Sequence, residues 1–461
     1  MNSNFELALL ILAFPVMIGT LIFTVDDLLF DLYALFHRLG PMKLSRQFIS
    51  DAKNIPQKRI AIMIANWKEA EVIGPMIRGN LKGIKYENYH FFIGVYPNDT
   101  ATWEAAAKLE KQFPDKVHVI VNTKNGPTSK GQMLNLMARK IVEVGADTGE
   151  VFDYILMQDS EDVLHPYSLL MLNYFSQSAD FIQTPVFSFD VDWHSLVGGV
   201  YIDEFSESHT KDLFVREAMG GAIPSAGVGT LLSRDLILAL QKAQNGDYLK
   251  EDTLTEDYHL GMMTKKFGFR SRFICAQYEK ENGDYEFIAT REYFPSHFSA
   301  SMRQKSRWVL GISFQGMDNF SWEGNLVDRY FMWRDRRGLI NSILFVLSTL
   351  FLILMVLSYL MNQVPDFVQT VAFQLLISLN MLNMTVRVFQ RMRAVYLTNA
   401  PIHVLLVLPR WLLANVINAG ATWKAYRQYQ TSLKTGKAPA WIKTEHKMPA
   451  HFGKEAEVEK T

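Results

Sequence analysis

Residues 60–69 read IAIMIANWKE and decide the class of fold. The apolar run 60–65 stops abruptly at polar residues, which is typical of a strand covered on both faces of a parallel sheet. Comparable apolar runs follow it, separated by helical patterns. The runs are 91–96, 117–121, 154–157 and 181–186, and the helical patterns are 69–81, 103–113, 131–144 and 167–176. This alternation predicts an α/β domain with a mostly parallel, Rossmann-like sheet and right-handed crossovers.

Polar side chains follow three of these runs, at the point where each strand is expected to end. Asn66 and Glu69 follow the first run, Asp99 the second, and Asp159 and Glu161 the fourth. Ligands of such sheets bind beyond the carboxyl ends of the strands, so we expect these groups to share one edge. A hard cation such as Mg²⁺ or Mn²⁺, shared with substrate phosphates, would relieve the repulsion between the carboxylates. A solvated acidic loop is the alternative interpretation.

Long uncharged stretches flank this region. Residues 7–25 carry no charge, and 19 residues of helix span about 28 Å, close to the ~30 Å hydrocarbon core of a bilayer. No Lys or Arg precedes Arg38 and no small-residue cleavage site follows the run, which favours an uncleaved anchor over a signal peptide. Two further uncharged runs, 339–364 and 367–386, predict a transmembrane hairpin.

Arginines flank both ends of the hairpin, and the positive-inside rule then places these ends in the cytoplasm. Residues 394–422 are apolar but include Arg410, which would be costly at the bilayer centre, so we expect an interfacial helix rather than a fourth crossing. The predicted domains are an anchor (1–36), a cytoplasmic catalytic domain (37–325), an interfacial helix with the hairpin (326–393), and an interfacial helix with a cytoplasmic tail (394–461).

The composition excludes two classes of protein. Lys+Arg and Asp+Glu both number 47 among 461 residues, so no excess of positive charge is present to bind nucleic acid. Cys275 is the single cysteine, which rules out an internal disulfide framework. The lipid bilayer is therefore the partner that the sequence indicates most directly.

The ordered motifs of the central region resemble family 2 glycosyltransferases with the GT-A fold, which include the cellulose, chitin and hyaluronan synthases. The motifs are 62–69 (IMIANWKE), 128–135 (TSKGQMLN), 159–161 (DSE), 255–257 (TED) and 304–308 (QKSRW). Each motif alone is weak, but all five occur in the order that the family has. Membrane helices after the last motif are typical of the polymer-making branch.

The resemblance implies a role for each matching residue. Asn66, Glu69 and Asp99 would lie around the nucleotide, Lys130 near the donor, and Asp159 and Glu161 on the metal. Glu256 and Asp257 would be catalytic, with Asp257 as the general base of an inverting transfer. Gln304, Arg307 and Trp308 match the family's Gln-x-x-Arg-Trp motif and would complete the catalytic set, and their i, i+3 and i+4 spacing puts them on one helix face.

Simpler readings of the same residues stay open. In the non-catalytic interpretation, Thr255 is only a helix N-cap, and Glu256 and Asp257 only interact favourably with the amino-terminal end of the helix dipole. The Arg307–Trp308 pair also suits a membrane interface. Gly227 and Gly229 mark either a close backbone approach to a ligand or an ordinary turn. Asp203, Glu207 and His209 either line an acceptor path or form a solvated helix face.

Four further segments resemble bacteriophage-adsorption proteins of the NfrB type, which are inner-membrane, glycosyltransferase-like proteins. The segments are 201–207, 224–230, 291–295 and 303–311. This resemblance implies a multi-pass protein of the bacterial inner membrane that uses a UDP-sugar donor and Mg²⁺ or Mn²⁺ to extend a surface or exported polysaccharide. Transfer to a polyprenyl-phosphate lipid carrier, or a non-catalytic scaffold in a phage receptor, are the alternatives. For either enzyme, the acceptor would be a glycan or a lipid. The protein would work with an envelope export partner or as a homo-oligomer.

Overall fold

The computed structural model describes residues 3–436, which divide into two compact units. The helical unit combines the chain up to Leu39 with Asp190–Val215 and the chain from Ser296 onward. The α/β unit combines Gly40–Phe189 with Arg216–Pro295. The predicted tail beyond residue 436, including its basic residues, lies outside the described part of the chain.

The strands and helices are numbered in chain order. The strands are β1 (Met42–Leu44), β2 (Ile60–Ala65), β3 (Tyr89–Val95), β4 (Val117–Val121), β5 (Tyr154–Gln158), β6 (Phe181–Gln183), β7 (Val186–Ser188), β8 (Thr230–Ser233), β9 (Ser271–Phe273), β10 (Ala276–Glu279), β11 (Tyr285–Ile288) and β12 (Thr290–Glu292). The α-helices are α1 (Ser3–Phe36), α2 (Arg46–Lys53), α3 (Ala70–Gly83), α4 (Thr100–Gln112), α5 (Lys130–Thr148), α6 (Ser168–Phe175), α7 (Leu196–Glu207), α8 (Leu213–Ala218), α9 (Arg234–Ala243), α10 (Glu256–Lys266), α11 (Phe298–Val309), α12 (Gly316–Phe320), α13 (Leu326–Arg336), α14 (Gly338–Leu360), α15 (Val371–Thr398), α16 (Ile402–Leu405) and α17 (Val407–Thr435). Two 3₁₀ turns (Ser176–Ser178, Asp366–Gln369) and two π-helical segments (Ser208–Asp212, Leu310–Gln315) complete the set.

A seven-stranded sheet in the order β4-β3-β2-β5-β8-β6-β9 forms the centre of the α/β unit. Strands β4, β3, β2 and β5 are parallel neighbours, as the apolar runs predict, and Ile60 to Ile64 of β2 are fully buried. Their β-branched and apolar side chains fill both faces of the sheet. Strand β8 runs antiparallel to β5 and β6, so the sheet is mostly rather than wholly parallel.

The fifth predicted strand, 181–186, is two strands in the structure. β6 joins the large sheet, whereas β7 pairs with β12 in a separate two-stranded sheet. Pro185 lies between them and has no amide hydrogen to donate to a ladder, so one continuous strand cannot form there. A three-stranded sheet, β1-β10-β11, completes the strands described for this unit.

Among the described residues of the helical unit, three helices are long and apolar enough to cross a membrane: Glu6–Phe36, Gly338–Leu360 and Val371–Thr398. They coincide with the three predicted crossings. Ile343, Leu352 and Leu360 of α14 are 59%, 63% and 72% exposed. Such a continuous apolar surface fits a lipid environment better than water.

Residues 394–422 do not form one separate helix. α15 continues to Thr398, the short α16 follows, and α17 begins at Val407. None of the residues from Asn399 to Gly436 falls within a candidate span. Placement of α17 in the membrane interface stays a prediction.

Arg410 of α17 is fully buried, and the structure supplies its counter-charge. Its guanidinium donates two hydrogen bonds to the Asp203 carboxylate of α7, at 2.6 and 3.0 Å. Its third nitrogen lies 3.1 Å from Nδ1 of His403. A Cβ at Gly199 would lie 2.5 Å from the arginine side chain, so the absence of a side chain there makes room for the pair. A bidentate pair of this kind offsets the desolvation of both ions.

Glu207 is also buried and ion-paired, with Lys211, Arg387 and Arg391 at 3.1, 2.7 and 2.8 Å. Asp203 and Glu207 therefore do not form a solvated helix face, and that alternative is wrong. They fasten α7 to α17 and α15 within the helical unit.

We expect Arg410→Met to destabilise the protein by about 3–5 kcal/mol, because Asp203 would remain buried without its partner. The double variant Arg410→Met/Asp203→Leu should recover most of this loss. Arg427→Met, which removes an exposed arginine of the same helix, is the matched control. Thermal unfolding in detergent tests these expectations, and equal melting temperatures for Arg410→Met and Arg427→Met would contradict them.

Candidate active site

The candidate site lies at the carboxyl edge of the central strands in the α/β unit. Ile64 of β2 pairs with Gln158 of β5, and Ala65 pairs with Gly94 of β3, so the three strands end at nearly the same level. Asn66 and Asp159 are the residues that follow β2 and β5. Strand register therefore brings the predicted polar residues to one edge, as the sequence indicates.

Asp159 is paired with Lys130, the first residue of α5. The Lys130 Nζ and Asp159 Oδ1 atoms are 2.5 Å apart, and both side chains are about three-quarters buried. Burial by itself lowers the pKa of Lys130. The nearby Asp159, Glu256 and Asp257 carboxylates outweigh that effect and raise it above its ordinary value. Lys130 is therefore a fixed positive charge that lies among the carboxylates of two separate motifs.

Asp162 adds a third carboxyl group to the loop after β5, beside the predicted Asp159 and Glu161, and a hydrogen bond to it makes the loop compact. Its Oδ2 accepts a hydrogen bond from the Asp159 amide, and Glu161 is 3% exposed. Burial, with the added charges of Asp159, Glu292 and Glu161, raises the pKa of Asp162 well above its usual range. The solvated-loop alternative is therefore wrong, since Glu161 and Asp162 are buried.

Several buried polar atoms at this edge have no hydrogen-bond partner among the described residues. They are Asn66 Oδ1, both polar atoms of the Gln158 side chain, and Asp162 Oδ1. Buried polar atoms are rarely left unpaired in native proteins, so this concentration points to a ligand at the strand ends. Gln158 was not predicted as a site residue. The sequence feature that indicates Gln158 is its position as the polar residue at the end of the apolar run YILMQ.

The donor set fits a hard cation that is shared with a ligand. Carboxylate oxygens of Asp159 and Glu161 suit Mg²⁺ or Mn²⁺. Within residues 3–436, however, no group of three or more His, Cys, Asp or Glu side chains is arranged to hold a metal ion. Ions of this class commonly take one or two carboxylates and complete their shell with substrate phosphates and water.

Glu256 and Asp257 occupy the first turn of α10, as predicted. The amino-terminal dipole of the helix favours an ionised carboxylate there. Thr255 stands at the N-cap, but its side chain makes no capping hydrogen bond, so the capping alternative lacks the interaction that defines it. Gly227, at φ +79°, passes so close that a Cβ would lie 2.8 Å from Asp257 Oδ2. The glycine is therefore needed for backbone approach to this carboxylate.

Asp99 has a clear structural role. Its carboxylate accepts hydrogen bonds from the Lys68 amide, at 2.6 Å, and from the Thr102 amide at the start of α4, at 3.5 Å. Glu69 is 5% exposed, and its amide donates to the Thr102 hydroxyl. Asp99 thus joins the loops after β2 and β3. Contact of Asp99 with a nucleotide stays a prediction.

Gln304, Arg307 and Trp308 lie on α11 and belong to the helical unit. Trp308 packs against Tyr201 and Phe205 of α7, with ring centroids 6.1 Å away in each case. It also lines a cavity of about 260 Å³. The polar side chains around this cavity are Ser313, Asp335, Asn341, Ser342, Asn415, Asn418 and Thr422. Val309, Ile312, Leu339 and Phe345 also line the cavity, so its wall is largely apolar and carries amides, hydroxyls and one carboxylate but no cation. Such a mixed wall suits a ligand with apolar faces and a few hydroxyl groups.

Comparisons with known proteins agree with this architecture. The family model "Glycosyltransferase like family 2" matches residues 56–311. Bacteriophage adsorption protein B of Escherichia coli (strain K12) is 37% identical over 419 residues, which cover 86% of this chain and 56% of that protein. Bacteriophage N4 adsorption protein B of Escherichia coli O157:H7 matches to the same extent. The chain thus spans little more than half the length of these relatives.

Among solved structures, a mannosyltransferase from Pyrobaculum calidifontis, in complex with GDP-mannose and Mn²⁺, is similar at a TM-score of 0.52. The similarity covers 89% of this chain and 99% of that one at 10% sequence identity, so it concerns the fold alone. The expected GT-A fold is confirmed, and three helices among the described residues are long and apolar enough to cross a membrane.

We expect Lys130→Met to strengthen Mn²⁺ binding in the absence of nucleotide by about tenfold, because the lysine and the ion compete for Asp159. Lys140→Met, which removes an exposed lysine from the same helix, should leave the affinity unchanged. Titration of Mn²⁺ followed by electron paramagnetic resonance measures both. An unaltered affinity in Lys130→Met would show that Asp159 does not bind the cation.

Proposed function

The chain belongs to the glycosyltransferase-like family 2, and on that premise we propose that it is an inverting, nucleotide-sugar-dependent glycosyltransferase of the bacterial inner membrane. Its α/β unit would work on the cytoplasmic side and extend a surface or exported polysaccharide from a UDP-sugar. One observation carries the proposal. Lys130 pairs with Asp159 while lying within electrostatic reach of Glu256 and Asp257, so a diphosphate-binding edge and a candidate base share one site.

Asp159 and Glu161 would hold Mg²⁺ or Mn²⁺, which supplies positive charge to the departing diphosphate when it is bound. The ammonium of Lys130 faces the same edge and stabilises the added negative charge of the leaving group. The unpaired polar atoms of Asn66 and Gln158 give further contacts for the donor. These groups are fixed by the sheet, so they need little rearrangement as the glycosidic bond breaks.

Asp257 would accept the proton of the attacking acceptor hydroxyl. The first turn of α10 favours its carboxylate form, which is the form that can act as a base. Gly227 leaves room for this carboxylate, because a Cβ at that position would lie 2.8 Å from Asp257 Oδ2. The attacking oxygen then displaces the diphosphate from the opposite face of the anomeric carbon, which inverts the configuration.

The cavity beside Trp308 supports a glycan as the acceptor. Its lining has one carboxylate, Asp335, and no cation, whereas a phosphate group would be expected to meet arginine or lysine. At about 260 Å³ it lies below the ~300–1,000 Å³ range of pockets for drug-sized ligands, which suits one sugar unit. Gln304 and Arg307 lie on the same helix as Trp308 but do not line this cavity, and their catalytic role stays a prediction.

Transfer to a polyprenyl-phosphate carrier is the second candidate. The three candidate spans among the described residues favour it, because they are few for a polysaccharide conduit built from one chain. Analysis of the product separates the two functions. Repeating sugar units would identify a polymerase, and a single sugar released from lipid by mild acid would identify a carrier-dependent enzyme.

We expect Asp257→Asn to lower turnover by about 10²–10⁴-fold and to leave nucleotide binding intact, because the amide cannot accept the acceptor proton. Asp235→Asn, in the first turn of α9, is the matched control and should be fully active. Transfer from radiolabelled nucleotide sugars in purified membranes measures both variants. Turnover of Asp257→Asn close to that of the native protein would refute the assignment of the base.

We also expect UDP with Mn²⁺ to stabilise the purified protein, by about 2.7 kcal/mol at 100 times the dissociation constant. EDTA should abolish both this stabilisation and sugar transfer. Thermal unfolding in detergent is the measurement, with AMP as the control nucleotide. Identical melting temperatures with and without UDP, GDP or another sugar-carrying nucleotide would favour a non-catalytic scaffold.

A further inference from the structure

One face of α5 holds the segment that precedes the candidate base. Gly131, Asn135 and Arg139 recur at four-residue spacing, so they lie in a row along the helix. Asn135 and Arg139 bind residues between Gly246 and Leu249, and a Cβ on Gly131 would lie within 3.7 Å of Glu251 and Glu256. These residues are all more than a hundred positions further along the chain. This segment, 246–256, connects α9 to the start of α10 and is called the base loop below.

Asn135 is the centre of this row. It is fully buried, and its Oδ1 accepts hydrogen bonds from the Tyr248 and Leu249 amides at 3.1 and 3.0 Å. Its Nδ2 donates to the Leu249 carbonyl at 2.9 Å. Three hydrogen bonds from one side chain to two consecutive residues fix both the position and the direction of the backbone there.

The neighbours of Asn135 hold the two ends of the base loop. Arg139 pairs with Asp247 and lies 3.4 Å from the Gly246 carbonyl. At the other end, a Cβ on Gly131 would lie 3.6 Å from Cγ of Glu256. The helix therefore guides the loop from its beginning to the first turn of α10.

The same helix begins at Lys130, whose ammonium pairs with Asp159. α5 thus connects the candidate diphosphate site to the candidate base through rigid backbone and buried polar contacts. We propose that Asn135 is a positioning residue that sets the place of Asp257 relative to the donor site. The proposal rests on the proposed function, and it assigns Asn135 no contact with either substrate.

The physical reason is geometric. An in-line displacement requires the base to be near the attacking hydroxyl while the donor stays bound at the strand ends, and a misplacement of about 1 Å can cost on the order of 10²-fold in rate. Asn245 and Gly246 have positive φ values of 56° and 101°, so the loop makes a sharp turn just before the clamped residues. Asn135 fixes the loop directly after that turn, before it reaches α10.

Three variants test the proposal in the full-length protein. Asn135→Leu removes all three hydrogen bonds, and Asn135→Asp keeps the two acceptor bonds while losing the donated one. Asn173→Leu is the matched control, because Asn173 is a buried asparagine of the same unit that holds the Lys58 amide and the Pro56 carbonyl. We expect Asn135→Leu to lower kcat by about tenfold or more with the donor KM within about twofold, since donor contacts are untouched.

Asn135→Asp should fall between Asn135→Leu and the native protein. Asn173→Leu should lower the melting temperature but preserve kcat. A loss of kcat in Asn173→Leu equal to that in Asn135→Leu would reduce Asn135 to a general stabilising residue and overturn the proposal. Native kcat in Asn135→Leu would overturn it as well.

A second measurement does not depend on activity. Amide hydrogen exchange at Tyr248 and Leu249, and onward to Asp257, should accelerate in Asn135→Leu and remain native in Asn173→Leu. Unchanged exchange in Asn135→Leu would overturn the proposed clamp even if no sugar donor were found. If amide exchange accelerated in Asn135→Leu as expected but the native protein bound no nucleotide, the clamp would stand and the proposed function would be rejected.

Discussion

The pairing of Lys130 with Asp159 is the interaction on which the candidate site depends. Parallel strands deliver their carboxyl ends to one edge, and in this chain that edge carries Asp159, Glu161 and Asp162 within four residues. Such crowding of buried acids is unfavourable without a compensating cation. Lys130, in the first turn of α5, supplies a permanent positive charge, which reduces the electrostatic repulsion between these acids before any ligand binds. The same ammonium is then already in place to face a diphosphate.

The helical unit also contains buried charged side chains, which are compensated by ion pairs between its helices. Its candidate spans expose apolar side chains, but the unit also carries buried ions in pairs, such as Arg410 with Asp203, and Glu207 with Arg387 of the candidate span α15. Each pair joins helices that are far apart in sequence. Buried ion pairs contribute little net stability compared with apolar packing. However, each pair forms only when its two helices are correctly placed, so the pairs favour a single arrangement of the helices.

The sequence predicts the elements whose signal is local. The run 60–65 is apolar throughout because both faces of β2 are buried, and the three long apolar helices were recognisable from length and charge alone. The sequence does not predict β8, because four residues at the edge of a helix carry too little pattern, and it predicts one strand over 181–186 where Pro185 separates β6 from β7. Asn135 belongs to the recognised motif 128–135, but its two partners, Tyr248 and Leu249, are over a hundred residues away. No local pattern reveals contacts of that kind, and the same holds for Asp203 with Arg410.

The alternation of the two units along the chain has a consequence for biogenesis. The α/β unit is interrupted by Asp190–Val215, which belongs to the helical unit, so neither unit is a single continuous stretch of the chain. β8 lies between β5 and β6 in the sheet but is synthesised after both, and β9 follows later still. A nascent chain that ends before Thr230 therefore lacks the strand that pairs with both β5 and β6, so the central sheet cannot be completed until β8 and then β9 have been synthesised.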